Sequence, residues 1–275
     1  MQTNRFTSRR SFLRHFAGVA SAATASLTLP RSLWADPTQI ASRVEDASDS
    51  HPLSPAIQKA FASLQSLDDV KSYTALLTKQ EKFGRNLVKS RIELKLREEP
   101  FSVYLKFLEP MAGREVIYVN GQNNNQLQAH DAGFRALFGT VSLEPEGSMA
   151  MDGNRHPITL IGMRKLAEVV LDQWLDELKL TGVTVNMFPN TRLGNTSCEM
   201  IETSYARPQA GVKFQMTRLY IDSKHGYPVR VQQYDFPDRR ERNPSLAEEY
   251  TYSDLKTDVD LQDIDFSVKN PRYAF

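Results

Sequence analysis

IELKLREEPFSVYLKF, residues 92–107, is the stretch of sequence that decides the fold. Apolar and polar residues alternate on both sides of Glu98-Glu99-Pro100, and a period of two residues is typical of β-strands with one buried face. The break is too short for a helical crossover, so the two strands should be antiparallel neighbours. The apolar residues expected to face inward are Ile92, Leu94, Leu96, Phe101, Val103, Leu105 and Phe107.

The same alternation extends the sheet in both directions along the chain. Two amphipathic helices, near residues 54–67 and 162–180, have apolar residues at helical spacing. Between the sheet halves, residues 131–157 are irregular and are expected to form a structured loop. The sequence therefore predicts an α+β fold, with a predominantly antiparallel sheet of at least eight strands and two or three helices packed on it. The further strands are predicted near 73–80, 116–119, 126–130, 183–187, 198–201, 213–222, 227–236 and 248–252.

An export signal is predicted at the N-terminus. Arg9 and Arg10 stand just before a weakly apolar stretch running from Phe16 to Leu29, which is the layout of a twin-arginine signal. That stretch is too short and too weakly hydrophobic to hold a spanning helix in lipid, and cleavage after Ala35 is expected. An ordinary amphipathic helix is the alternative. We predict recognition by the twin-arginine export machinery and a periplasmic or otherwise exported mature protein.

The chain divides into three predicted parts. Residues 1–35 are the signal peptide, residues 36–53 a flexible polar linker, and residues 54–275 a single α+β domain. The linker segment is rich in Asp and Ser and has few large apolar residues, so it is not expected to bury enough surface to order itself. About 240 residues remain after cleavage, enough to bury one substantial core.

The charge of the chain excludes one class of partner. Loss of residues 1–35 removes five arginines and no acid, so Lys plus Arg falls from 34 to 29 against 33 Asp plus Glu. The formal charge changes from +1 to −4. A nucleic-acid binder needs basic residues to neutralise phosphates, so we do not expect nucleic acid as a partner of this mildly acidic chain. Cys198 is the only cysteine, so we expect no intrachain disulfide, no thiolate zinc cluster and no lipidated cysteine that would serve as a stable membrane anchor.

Several blocks of the sequence resemble a family of exported bacterial proteins, uncharacterised-domain family 1571. The resemblance covers most of residues 70–275, and the family name carries no established activity. The blocks are EEPFSVYL at 98–105, Pro110, GREVIYV at 113–119, RHPI at 155–158 and NPRYAF at 270–275.

A more distant resemblance concerns the strand–turn–strand YIDSKHGYPVR, residues 220–230, which is similar to hairpins of periplasmic lipoprotein carriers. Those proteins fold as an unclosed β-barrel. The resemblance implies a large curved antiparallel sheet with helices on its apolar concave face and a cavity available for acyl chains. It is an analogy of fold and establishes no function.

A cavity of this kind would be lined by inward residues of the two deciding strands, with a tryptophan of the second helix as a lid. A cavity with such a lining favours one function: the protein would be exported and soluble, and it would bind an apolar or lipid-like ligand, either an acyl chain or a lipoprotein. In the alternative, the same residues pack against the helices as a filled core, and the protein has no ligand cavity. It would then be an envelope interaction protein that acts through its strand edges and the loop of residues 131–157. The predicted ligand-binding residues are Leu94, Leu96, Val103, Leu105, Phe107 and Trp174.

Catalytic chemistry finds little support in the sequence. No nucleophile elbow, phosphate-binding glycine loop or His-Glu-x-x-His pair is present. A metal-dependent enzyme would require His130, Asp152 and His156 to converge in a cleft, although their spacing matches no named ligand motif. In the other interpretation, His130 ends a strand and His156 hydrogen-bonds within a loop. We predict no catalytic residue, no metal site and no cofactor.

Overall fold

The structure is a computed structural model that describes residues 37–48, 50–238, 243–257 and 259–275. The predicted signal peptide, with Arg9 and Arg10, lies outside the described residues. The helices are α1 (Pro37–Glu45), α2 (Ser54–Gln65), α3 (Ser148–Met151) and α4 (Met163–Glu177). The strands are β1 (Ser72–Phe83), β2 (Asn86–Arg97), β3 (Ser102–Glu109), β4 (Glu115–Val119), β5 (Leu127–His130), β6 (Val141–Leu143), β7 (Val183–Leu193), β8 (Thr196–Tyr205), β9 (Met216–Asp222), β10 (Pro228–Asp235) and β11 (Ser245–Lys256).

All of these strands form one antiparallel sheet, in the order β6-β5-β4-β3-β2-β1-β11-β10-β9-β8-β7. Each half of the sheet, β1 to β6 and β7 to β11, is a meander of sequential strands. The halves join where β1 pairs with β11, with Leu77 opposite Tyr252. Strands β6 and β7 are the edges of the sheet, so it does not close into a barrel. The predicted α+β fold with an unclosed antiparallel sheet is confirmed.

The deciding stretch forms the expected hairpin of β2 and β3. Leu94 lies opposite Leu105, and Leu96 opposite Val103. These four side chains are between 0% and 4% exposed. They share one face of the sheet because side chains two apart on a strand point the same way. Helices α2 and α4 cover this inward face and form the main core with it.

Two tyrosine side chains from the sheet fix the start of α4. The backbone N–H of Gly162 donates to the Tyr252 hydroxyl at 2.8 Å, and that of Met163 donates to the Tyr73 hydroxyl at 2.9 Å. They satisfy backbone donors that a helix N-terminus leaves without an intrahelical partner. Burial raises the pKa of both tyrosines well above the ordinary value, so both hydroxyls stay protonated.

The structure differs from the predicted flexible linker, because part of residues 36–53 is the helix α1. Ile40 is fully buried in the main core. Arg43 forms ion pairs with Asp172 at 2.5 Å and Asp176 at 2.9 Å on α4. The prediction rested on the polar composition of the segment, and composition does not show that one apolar residue and one arginine find partners elsewhere in the chain.

The outer face of β3 and β4 is covered by the C-terminal segment. The rings of Tyr104 and Tyr273 stack with their centroids 4.0 Å apart. Glu115 is 1% exposed and accepts hydrogen bonds from the Tyr104 hydroxyl at 3.0 Å and the backbone N–H of Ala274 at 2.7 Å. This part of the outer face is therefore occupied by the chain itself.

Candidate functional site

A cavity of about 150 Å³ lies between the inward face of the sheet and the segment that connects β6 to α4. We call residues 144–162 the cover segment. Apolar side chains dominate both walls of the cavity. On the sheet they include Leu77, Ile92, Leu105, Phe107, Val116, Leu127, Ala129 and Leu143. On the cover segment and α4 they are Pro145, Met149, Ala150, Ile158, Leu160, Ile161, Leu166 and Val170.

The structure separates the predicted ligand-binding residues of the sheet into two groups. Leu105 and Phe107 line the cavity. Leu94, Leu96 and Val103 lie outside the lining, are at most 1% exposed and belong to the main core. The cavity therefore occupies one end of the inward face, and the other end is packed.

Trp174, the predicted lid residue, also lies outside the cavity lining. It is fully buried in the main core. Its indole Nε1 donates to the Thr203 hydroxyl oxygen at 3.1 Å. These contacts are those of a packing residue that joins α4 to strand β8.

A group of polar and charged side chains borders one side of the cavity. Glu81 and Glu248 lie directly opposite each other on β1 and β11, and each is 2% exposed. Like charges at directly opposite positions destabilise a sheet, so nearby cations and donors must compensate them. We call this group the polar cluster, and its members are Lys79, Glu81, Asn154, Arg155, His156, Glu248 and Tyr250.

Glu81 accepts hydrogen bonds from three donors. The Lys79 ammonium donates at 2.6 Å, the Tyr250 hydroxyl at 2.6 Å and the backbone N–H of Arg155 at 3.0 Å. Lys79 also donates to the side-chain oxygen of Asn154 at 2.5 Å. Burial and the neighbouring carboxylates raise the pKa of Tyr250 well above its ordinary value, which keeps its hydroxyl a donor.

Glu248 joins strand β11 to the cover segment. Its Oε2 accepts from Arg155 Nε at 2.6 Å and from His156 Nε2 at 3.1 Å, since an ionised carboxylate only accepts. Burial alone would raise the pKa of Glu248, but the hydrogen bond and charge of His156 and the charge of Arg155 hold it below the usual value. Two adjacent residues thus fasten the cover segment to the sheet.

Replacing Glu248 with glutamine is expected to lower the free energy of unfolding at neutral pH by about 1 to 3 kcal/mol, because Arg155 and His156 lose a charged acceptor. The pKa of Glu248 is lower in the folded than in the unfolded protein. Its stabilisation is therefore present above the unfolded pKa, about 4.3, and is lost as the pH falls through the folded pKa. Urea denaturation at a series of pH values should show the difference between wild type and variant shrinking on acidification.

The matched control is Glu146→Gln, which changes an exposed glutamate of the cover segment. Its effect on the free energy of unfolding should stay within about 0.5 kcal/mol. If the difference in the free energy of unfolding between wild type and Glu248→Gln stayed constant from neutral to acidic pH, Glu248 would not be the charged acceptor of Arg155 and His156.

The structure does not assemble the histidine–carboxylate group considered from the sequence. His130 Nδ1 lies 3.3 Å from the Thr140 hydroxyl oxygen and does not line the cavity, whereas Asp152 and His156 do. Among the described residues, no group of three or more His, Cys, Asp or Glu side chains is placed to hold a metal ion.

The polar cluster itself was missed in the sequence analysis, although a signal for it exists. Lys79 and Glu81 occupy the same alternating positions of β1 as the buried residues Tyr73, Ala75 and Leu77. Charged residues are rarely buried unless they are paired. Charges at inward positions of a strand therefore indicate a buried polar site.

The fold and the site together define a class of protein: an α+β protein whose open antiparallel sheet holds a packed core at one end of its inward face and a cavity at the other. Within the described part of the chain, no helix is long and apolar enough to cross a membrane.

The chain belongs to the family of proteins of unknown function DUF1571, whose model matches residues 70–275. The resemblance inferred from the sequence blocks is confirmed. The comparison with curated proteins found no match.

Several solved structures are similar in fold. Lipoprotein LppX of Mycobacterium tuberculosis is 14% identical, with 78% of this chain and 100% of that chain covered and a TM-score of 0.44. A putative outer membrane lipoprotein-sorting protein domain from Vibrio parahaemolyticus is 13% identical, with coverages of 77% and 95% and a TM-score of 0.37. A LolA superfamily protein from Nitrosomonas europaea is 11% identical, with coverages of 76% and 96% and a TM-score of 0.33. At these identities the likeness concerns the fold alone.

Proposed function

We propose that the protein binds an apolar or lipid-like ligand, an acyl chain that is free or part of a lipoprotein, in the cavity beneath the cover segment. The observation that carries the proposal is a cavity with apolar walls and a polar cluster on one side. Binding sites for small molecules commonly combine apolar walls with a few placed polar groups. An amphiphile would lay its chain against Leu105 and Phe107 and turn its polar end toward the polar cluster.

The size of the cavity limits how much of a ligand it holds. A cavity of about 150 Å³ takes a group roughly as large as benzene, which corresponds to part of an acyl chain. Met149 lines the cavity and is also 70% exposed, which places the mouth beside it. A longer chain would leave the cavity past Met149.

Leu105→Trp is expected to weaken acyl-chain binding by roughly tenfold or more, about 1.4 kcal/mol, because the larger side chain occupies the cavity. The cost to the free energy of unfolding should be below about 1 kcal/mol, since the indole fills existing space instead of displacing packed atoms. Titration with a fluorescent fatty acid measures the first quantity, and urea denaturation the second.

Leu94→Trp is the matched control, because Leu94 lies directly opposite Leu105 but outside the cavity lining. There the added volume overpacks the core and should cost about 1 to 3 kcal/mol. Absence of fatty-acid binding by wild type, together with equal destabilisation by the two tryptophan variants, would reject the ligand cavity.

We further propose that the protein reaches the periplasm, or another exported location, as a soluble protein through the twin-arginine route. The sequence around Arg9 and Arg10 supports this route, because the arginine pair is an address read by a receptor. Replacing both arginines with lysine keeps the charge and should leave the precursor in the cytoplasm in a cell-fractionation experiment. Export of the double-lysine chain at the wild-type level would reject the route without bearing on the cavity.

A further inference from the structure

The four most exposed large apolar side chains of the described residues all lie in one segment between β5 and α4. Phe134 is 81% exposed, Leu137 78%, Phe138 78% and Met149 70%. The first three belong to a single 3-10 helix, Gly133–Phe138. We call Phe134, Leu137 and Phe138 the apolar tip. Isolated apolar residues on a surface are ordinary, but a concentration of this kind marks an interaction site.

In the chain, the apolar tip lies between two strands that line the cavity. The 3-10 helix follows β5, whose Leu127 and Ala129 line the cavity, and precedes β6, whose Leu143 also lines it. The cover segment then continues to Met149, which is both exposed and part of the lining. A surface that buries the tip would therefore be close to the strands that line the cavity.

The dimensions of the apolar tip favour a lipid surface over a protein partner. Three side chains of this kind expose roughly 400 to 500 Å², whereas a stable protein interface buries about 800 Å² on each partner. Aromatic and leucine side chains on a short exposed helix are the groups that enter the boundary between lipid headgroups and acyl chains. Insertion into a bilayer needs no complementary partner surface.

The charges around the tip indicate which lipid surface it suits. Residues 131–152 contain one arginine and four acidic residues, which gives a formal charge of −3. A basic patch, the usual feature that attracts proteins to anionic lipids, is therefore lacking in this segment of the sequence. Adhesion would have to come from the apolar side chains.

We propose that the apolar tip docks on the surface of a neutral, zwitterionic bilayer and brings the cavity mouth to the membrane. The exposed apolar side chains carry this inference, and it stands whether or not the cavity holds an acyl chain.

The test is co-flotation of the protein, as purified after export, with phosphatidylcholine vesicles. Wild type should float with the vesicles, and the double variant Phe134→Ser with Phe138→Ser should lose vesicle partitioning by roughly tenfold or more. The matched control, Leu87→Ser with Phe188→Ser, changes side chains that are 48% and 40% exposed elsewhere on the sheet and should float like wild type. The tip variant should keep the wild-type melting temperature, because Phe134 and Phe138 are 81% and 78% exposed. The control variant should remain folded with a lower melting temperature, because Leu87 and Phe188 are partly buried.

Any of three results would overturn the docking proposal: wild type fails to float with phosphatidylcholine vesicles, the tip variant floats as well as wild type, or flotation requires added phosphatidylglycerol. Size-exclusion chromatography adds a further outcome: a wild-type dimer that the tip variant dissociates would identify a second copy as the occupant. If the protein binds fatty acid but does not float with the vesicles, the docking proposal is wrong and the proposed ligand-binding function of the cavity is unaffected.

Discussion

Replacing Trp174 with alanine is expected to lower the free energy of unfolding by about 3 to 5 kcal/mol. The side chain is fully buried between α4 and the sheet, so the substitution leaves a large void in a packed region. It also leaves the Thr203 hydroxyl without its 3.1 Å partner. Urea denaturation followed by circular dichroism measures the loss, and the residual folded protein should retain fatty-acid binding because Trp174 is not part of the cavity lining.

Trp174→Phe separates packing from the hydrogen bond. It keeps most of the ring volume and removes the indole donor, so its cost should be about 1 to 2 kcal/mol. If Trp174→Ala left stability unchanged and abolished fatty-acid binding, Trp174 would be a ligand contact after all, as the sequence analysis had suggested.

Replacing Gly162 with alanine is expected to cost about 3 to 5 kcal/mol. Its φ of +125° and ψ of 155° lie in a region that only glycine adopts without strain of about 1 to 3 kcal/mol. An added Cβ would also lie 2.9 Å from Leu96 Cδ1 and 3.2 Å from the Tyr73 hydroxyl, and relieving such overlap costs a similar amount. Since the Gly162 N–H donates to Tyr252, any backbone shift also disturbs the start of α4.

Gly194→Ala is the control for this prediction, measured by the same urea denaturation. Gly194 has a φ of +60° and no atom within 4 Å of an added Cβ, so its cost should be about 1 to 2 kcal/mol. Equal costs at the two positions would show that the close approach to Leu96 and Tyr73 does not constrain the chain.

The fold was predictable because its signal is local. Alternation within residues 92–107 defines the hairpin of β2 and β3, and the same period recurs in the strands on either side. The helix expected at 162–180 is found as Met163–Glu177. The central pairing of β1 with β11 is different, because it joins strands distant in sequence and no turn between them specifies their register.

The candidate site was predictable only in part. Alternation identifies which face of a strand is buried, but it does not say whether another element fills the space above that face. Leu94 and Leu105 have the same pattern and pair directly, yet only Leu105 lines the cavity. The difference depends on where the cover segment and α4 cross the sheet, and their positions are set by tertiary contacts such as those of Arg155 and His156 with Glu248.

The two unpaired edges of the open sheet bear on the tendency of the protein to polymerise. An exposed strand edge offers unpaired backbone groups to a second copy, and natural proteins limit this by shortening or interrupting edge strands. Strand β6 has only three residues. The pairing register of β7 shifts between Phe188 and Thr191, next to Pro189, which has no N–H to donate. Both edges are thus poor templates for strand-by-strand growth into fibrils, although the sheet itself remains open.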